Sequence, residues 1–76
     1  MKLSDCRLGV GLRVESISLS AEHCHRLKEF GISEGVDVKI CQNCVFGGKV
    51  ISRGTELLGI DSRLANAIEV SEVSYA

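Results

Sequence analysis

Two thiols stand three residues apart in Cys41-Gln42-Asn43-Cys44. In a loop, thiolates at that spacing can clamp one Zn²⁺ or Fe²⁺. A closed structural site needs a second pair of ligands. The other soft or nitrogen donors are Cys6, Cys24, His23 and His25. On a regular helix His23 and His25, two residues apart, point about 200° away from each other and cannot share an ion. Cys24 lies on an apolar stripe and reads as a small buried hydrophobe. The two histidines read as half-exposed side chains flanking that stripe. A thioredoxin-like redox role is disfavoured, because such a motif opens a helix beside a βαβ unit and none is present. Cys41 and Cys44 are therefore candidate metal ligands, set against a reading as free thiols that their spacing favours.

Catalytic constellations are missing. The sequence has no Gly-x-Ser-x-Gly, phosphate loop or dinucleotide fingerprint. Gly47-Gly48 reads as a turn, because no helix start follows to complete a phosphate cradle. A chain of 76 residues also leaves little room for a substrate cleft. The expectation is a protein that is not an enzyme.

Composition narrows the partners. Nine basic and ten acidic residues give a net charge of −1 with no basic run, so nucleic-acid binding is not expected. The chain has no basic amphipathic helix for a membrane surface and no apolar run of spanning length, so direct membrane insertion is not expected. Its first residues lack the apolar core of a signal peptide, and a cytoplasmic location is expected. There the four cysteines would be reduced or metal-bound rather than disulfide-bonded. One small domain is expected over residues 1–76, with a core over 3–70 and a frayed tail over 71–76.

The elements that position these groups follow from periodicity. Leu3 and Leu8 are spaced to enter a core, and Gly9 and Gly11 suggest an open turn. Leu12 to Leu19 reads as a strand. Leu12 and Val14 share one parity while Ile17 and Leu19 take the other, which predicts a bulge near Ser16. Ser20 is a helix N-cap, and the helix is expected over 21–30. Ala21, Cys24, Leu27 and Phe30 form its apolar stripe. Glu22 and Arg26 are spaced for an ion pair, and Gly31 is expected as the left-handed cap. Further strands follow at 36–40, 49–53, 56–60 and 68–70, with a tight turn at Gly54-Thr55 and a short helical turn capped by Asp61 or Ser62. Leu27, Val38, Ile40, Val50, Leu57 and Ile68 are expected to pack together. The sum is a mostly β chain, a small five-stranded barrel with one short helix.

The central run Arg26-Leu27-Lys28-Glu29-Phe30-Gly31-Ile32, then Gly35 and Val36-Asp37-Val38-Lys39-Ile40, resembles the FeoA family. So do Arg53-Gly54-Thr55-Glu56-Leu57-Leu58 and Ala67-Ile68-Glu69-Val70. The resemblance covers about residues 3 to 70. It implies an SH3-like barrel and a cytoplasmic accessory protein of ferrous-iron uptake. Such a protein docks on the large membrane ferrous-iron transporter, which carries a GTP-binding domain, and requires no cofactor. The alternative is a small metal-binding or metal-sensing protein that holds Zn or Fe(II) through Cys41 and Cys44. For docking, the outer helix face with His25, Arg26 and Glu29 is the candidate surface, because packing does not dictate those residues. A monomer or weak homodimer is expected. Two departures stand out. The chain has no proline, and Cys44 stands near where the family has one. Gly59-Ile60-Asp61 stands where the family carries a basic residue.

Overall fold

The computed structural model describes residues 1–73. Five strands form one antiparallel sheet: β1 Gly11–Ile17, β2 Asp37–Asn43, β3 Lys49–Arg53, β4 Glu56–Ile60 and β5 Ile68–Glu72. Helix α1 spans Ala21–Glu29 and α2 spans Ser62–Ala67. The strand order is β4-β3-β2-β1-β5. This is the mostly β, SH3-like architecture expected, with a sheet that curls without being closed by hydrogen bonds between β4 and β5. The helical turn expected near Asp61 is the six-residue α2.

The sheet bends at two places where a strand carries an extra residue. In β1, Val14 faces Val70 and Ser16 faces Glu69, so Glu15 is the extra residue. That bulge carries the buried parity of Leu12 and Val14 over to Ile17, as the sequence suggested. In β2, Ile40 faces Ile51 and Gln42 faces Val50, so Cys41 is the extra residue of a second bulge. The sequence does not announce that one, because no inward apolar residue follows it to betray the change of parity.

Helix α1 starts where expected. Ser20 Oγ accepts from the His23 N–H at 3.4 Å. Its end differs from the expectation in an informative way. The Gly31 N–H donates to Lys28 O at 2.9 Å and the Ile32 N–H to Leu27 O at 2.8 Å. This pair of bonds is a Schellman motif, and Gly31 takes the left-handed φ of +86° that it requires. The reversal folds Ile32, 2% exposed, back onto the core beside Leu27. Phe30, expected on the stripe, is thereby left 59% exposed. Cys24 is half-buried, Ala21 is exposed, and Leu27 alone of the stripe is buried.

The core gathers Leu3, Leu12, Val14, Leu27, Ile32, Val38, Ile40, Ile51, Ile60, Ala65, Ile68 and Val70. Leu27, Val38, Ile40 and Ile68 take their expected places. Val50 is only half-buried and Leu57 is exposed. The cause is hairpin register. A tight turn pairs Arg53 with Glu56, which sets Ile51 opposite Leu58 and Lys49 opposite Ile60. Inward positions are then 49 and 51 on β3 and 58 and 60 on β4. Lys49 is buried as a result, and its Nζ donates to Asn43 Oδ1 at 2.6 Å. Near the N-terminus Leu3 is buried and Leu8, expected beside it, is exposed.

The two edges of the sheet are treated differently. The β5 edge is covered by the chain's own first residues: Lys2 bridges Glu69, and the Val70 N–H donates to Met1 O at 2.7 Å. Strand β5 continues through Ser71 and Glu72, and the Val73 N–H donates to Gly11 O at 2.9 Å. The frayed tail expected from residue 71 therefore does not begin there. The part of it over residues 74–76 lies outside the described residues.

Gly31 has a second constraint besides its φ. A Cβ built there would run into the Arg53 guanidinium, because the arginine side chain lies across the glycine. Gly35 has the same backbone sign, φ +87°, but nothing within 4 Å of an added Cβ. Gly35→Ala should therefore cost about 1 kcal/mol, from backbone strain alone. Gly31→Ala should cost more, and an Arg53→Ala background should remove the excess. Urea denaturation of the two variants and the double mutant checks this. Equal losses at the two glycines would show that the arginine imposes nothing.

Candidate functional site

Three surfaces hold the candidate residues. The first is the outward face of α1. His25 Nε2 lies 3.1 Å from Glu29 Oε1, with both side chains well exposed. The side-chain pair that closes on this helix is His25–Glu29; the expected Glu22–Arg26 pair is not formed among the described residues. Arg26 is exposed, so this face offers a guanidinium beside an occupied acid–imidazole pair. His23 lies apart from it, with Nδ1 2.7 Å from Ser20 Oγ at the helix start. The two histidines do not converge, as helical geometry required.

The second surface carries the thiols. Cys41 lies within β2 at the bulge, and Cys44 follows the strand end. The expected loop holding both is thus half strand. Extended residues rise about 3.3 Å each, so a clamp on one ion would need the chain to bend between them. Both thiols are exposed and free. Among the described residues no group of three or more His, Cys, Asp or Glu side chains is placed to hold a metal ion. A tetrahedral zinc site takes four protein ligands, or three and a water. These residues within one chain therefore do not fit a closed metal site.

After Cys44 comes a short helical turn, Val45–Gly47. Phe46 there has φ +71°, the only described non-glycine residue in the left-handed region. A bulky residue at that φ costs about 1–2 kcal/mol. Phe46 is nevertheless 94% exposed, and Val45 beside it is 79% exposed. The turn is held from below: the Cys44 N–H donates to Gly48 O at 2.8 Å. An added Cβ at Gly47 would meet Ser62 Cβ at 3.1 Å, and one at Gly48 would meet Ile60 O at 3.1 Å. An apolar tip is therefore fixed on a charge-free stretch, Cys41 to Gly48. Sequence reasoning read the segment as a glycine turn and missed Phe46; a phenylalanine directly before paired glycines was the available signal.

The third surface is a shallow open trough of about 280 Å³ on the sheet, lined by Gly11, Asp37, Val38, Lys39, Ser52 and Gly54. Its carboxylate already accepts from Arg13, Nε to Oδ1 at 2.8 Å. Ser52 faces Lys39 across β2 and β3 in this lining, but its hydroxyl donates to the Lys39 carbonyl oxygen at 3.4 Å. No helix among the described residues is long and apolar enough to cross a membrane.

Comparison with known proteins gives one consistent answer. The FeoA domain pattern matches residues 1–72. The solution structure of iron(II) transport protein A from Clostridium thermocellum is similar at 31% identity with a TM-score of 0.87, over 96% of this chain and 46% of that one. The chain thus spans about half of that relative. FeoA of Stenotrophomonas maltophilia, an SH3-domain protein crystallised with zinc, is 26% identical with a TM-score of 0.74, over 93% of this chain and 89% of that one. FeoA of Chlorobium tepidum shares the fold, with a TM-score of 0.88 at 24% identity over 97% of this chain and 71% of that one. No curated protein matches the chain significantly.

The cysteines divide by environment. Burial pushes the Cys6 thiol above its ordinary range, and Asp5 and Glu72 push the same way against the N-terminal amine and Lys49. Its Sγ also donates to Lys2 O at 3.4 Å. Thiolates, not thiols, react with alkylating agents. In the native protein Cys41 and Cys44 should be alkylated first, Cys24 later and Cys6 last. Timed alkylation followed by peptide mass spectrometry reads the order. Early labelling of Cys6 would contradict its burial.

Proposed function

This chain belongs to the FeoA domain family, and from that premise we propose that it is a non-enzymatic accessory protein of ferrous-iron uptake. It works in the cytoplasm as an interaction module on the large membrane ferrous-iron transporter, which carries a GTP-binding domain. The family match over residues 1–72 carries this reading. The surfaces support it, because they offer exposed side chains for a partner rather than a reaction centre.

The contact assigned first is the outer face of α1. His25 and Glu29 hold one another, which leaves the Arg26 guanidinium to meet a partner's acid or carbonyl. Arginine is enriched among interface residues that carry binding energy. Arg26→Ala should leave stability within about 0.5 kcal/mol, as exposed substitutions do, and should weaken capture of the solubilised transporter more than His25→Ala or Glu29→Ala. A binding assay beside a melting curve reads both. Unchanged melting with unchanged binding would move the contact to the Cys41–Gly48 segment, where Phe46→Ala is then the variant that must weaken it.

A second reading, metal binding or sensing through Cys41 and Cys44, is favoured by one observation: both thiols are exposed and free. The site would draw its remaining ligands from another molecule or from water. Zinc titration of the reduced protein against a Cys41→Ser/Cys44→Ser variant tests it. Tight stoichiometric binding lost in the variant supports a metal role. Equal weak binding in both removes it.

A further inference from the structure

Strand β4 ends the sheet on the side the chain leaves open. The opposite edge, on β5, is covered by residues 1–2, whereas β4 pairs with β3 alone among the described residues. Exposed edges are normally blunted by lysine, proline, a bulge or a covering segment. Strand β4, Glu56-Leu57-Leu58-Gly59-Ile60, has no lysine or proline. Its register with β3 runs without a break. Its one charge, Glu56, is drawn toward Arg53, with Oε2 3.3 Å from Nη2. On its outward face stand Leu57, 67% exposed, and Gly59, where an added Cβ would meet nothing within 4 Å.

Hairpin geometry says which backbone groups face out. Gly54 has φ +63° at the first central position of the two-residue turn, as a type II′ hairpin requires. The closing pair Arg53–Glu56 of such a hairpin exchanges hydrogen bonds. Ile51–Leu58 and Lys49–Ile60 then do so too, by alternation. The N–H and C=O groups of Leu57 and Gly59 are the ones left pointing away from β3.

We propose that this edge pairs with the same edge of a second copy of the chain, antiparallel about a two-fold axis at Leu58. Leu58 is the midpoint of β4, so this register alone pairs the strand over its full length. It sets Leu57 of one copy opposite Gly59 of the other, twice, and both belong to the outward-bonding set. Each Leu57 side chain then lies over the bare backbone of the facing glycine, the way a large residue covers an edge glycine across strands. Glu56 faces an isoleucine, so no like charges oppose one another. The contact is isologous and closes at two copies. It shares no residue with the α1 face, so a paired chain still presents its docking surface.

Sedimentation equilibrium over rising concentration, with amide exchange on the same samples, tests the pairing. The mass should rise toward the dimer while the Leu57 and Gly59 amides slow and those of Leu58 and Ile60 stay unchanged. Two double variants test the register. Leu57→Lys/Gly59→Lys sets like charges opposite one another and should be monomeric. Leu57→Glu/Gly59→Lys sets opposite charges there and should associate at least about tenfold more tightly than the first. Both place their side chains in solvent in the single chain, so both should melt like the wild type. A wild type that stays monomeric throughout overturns the proposal. So do equal association of the two variants, and edge amides that slow only when a different protein is added. None of these outcomes touches the transporter reading, which rests on binding by the α1 face.

Discussion

The structure turns on an arginine laid over a glycine. Arg53, at the end of β3, crosses Gly31, which closes α1, and its Nε is fully buried there without a hydrogen-bond partner among the described residues. A side chain at this position would push the guanidinium aside, and a residue at ease at positive φ completes the Schellman turn. The same residue meets both demands. The contact also joins two separated sequence patterns of this chain. Gly31 belongs to the helix-ending pattern and Arg53 to the hairpin pattern, and they are two halves of one junction. The helix has one buried side chain, Leu27, so it would be weakly held by packing alone. The positive guanidinium at the carbonyl end of α1 also suits the helix dipole.

Much of this was legible because caps and turns are local. Ser20, Gly31 and Asp61 each act on a neighbour within four residues, and each sits where its chemistry placed it. The bulge at Glu15 was legible because apolar residues lie on both sides of it and change parity. Parity on β3 and β4 was not legible. Each strand offers an aliphatic residue on either face, Val50 or Ile51 and Leu57 or Leu58. The choice is made by hairpin register, and it buries a lysine that composition would have put outside. Phe30 failed for a related reason. Helical period places it on the stripe, but the chain reverses one residue later, and Ile32 takes the position against Leu27. Of the candidate site, the α1 face followed from helical period. The separation of the thiols did not, because the bulge at Cys41 depends on pairing with β3.

The small core leaves the surface to carry function, and the surface is divided by chemistry. The α1 face carries Arg26 beside the His25–Glu29 pair, the 41–48 segment is uncharged with Val45 and Phe46 exposed, and the β4 edge is backbone. Strain marks the second of these. A left-handed phenylalanine that packs against almost nothing of its own chain gains no compensating burial in the fold. The turn beneath it supplies the compensation, through the Cys44–Gly48 hydrogen bond and the close approach of Gly47 to Ser62.

The two departures from the family pattern have physical readings in this fold. Where the family has a proline near residue 44, this chain closes the turn with the Cys44 N–H on Gly48 O, at 2.8 Å. A proline has no N–H to give, and the φ of −98° at Cys44 lies outside the proline range. The hydrogen bond is made by the Cys44 backbone, and the thiol is incidental to it. Within Gly59-Ile60-Asp61, where the family resemblance implies a basic residue, Asp61 caps α2 by accepting from the Leu64 N–H at 2.9 Å. That cap stabilises the short helix that carries Ala65 into the core. An acid at a helix N-terminus is favourable where a base would be repelled. Asp61 thus serves the connection from β4 to β5, and Arg63 follows it on the first turn of α2.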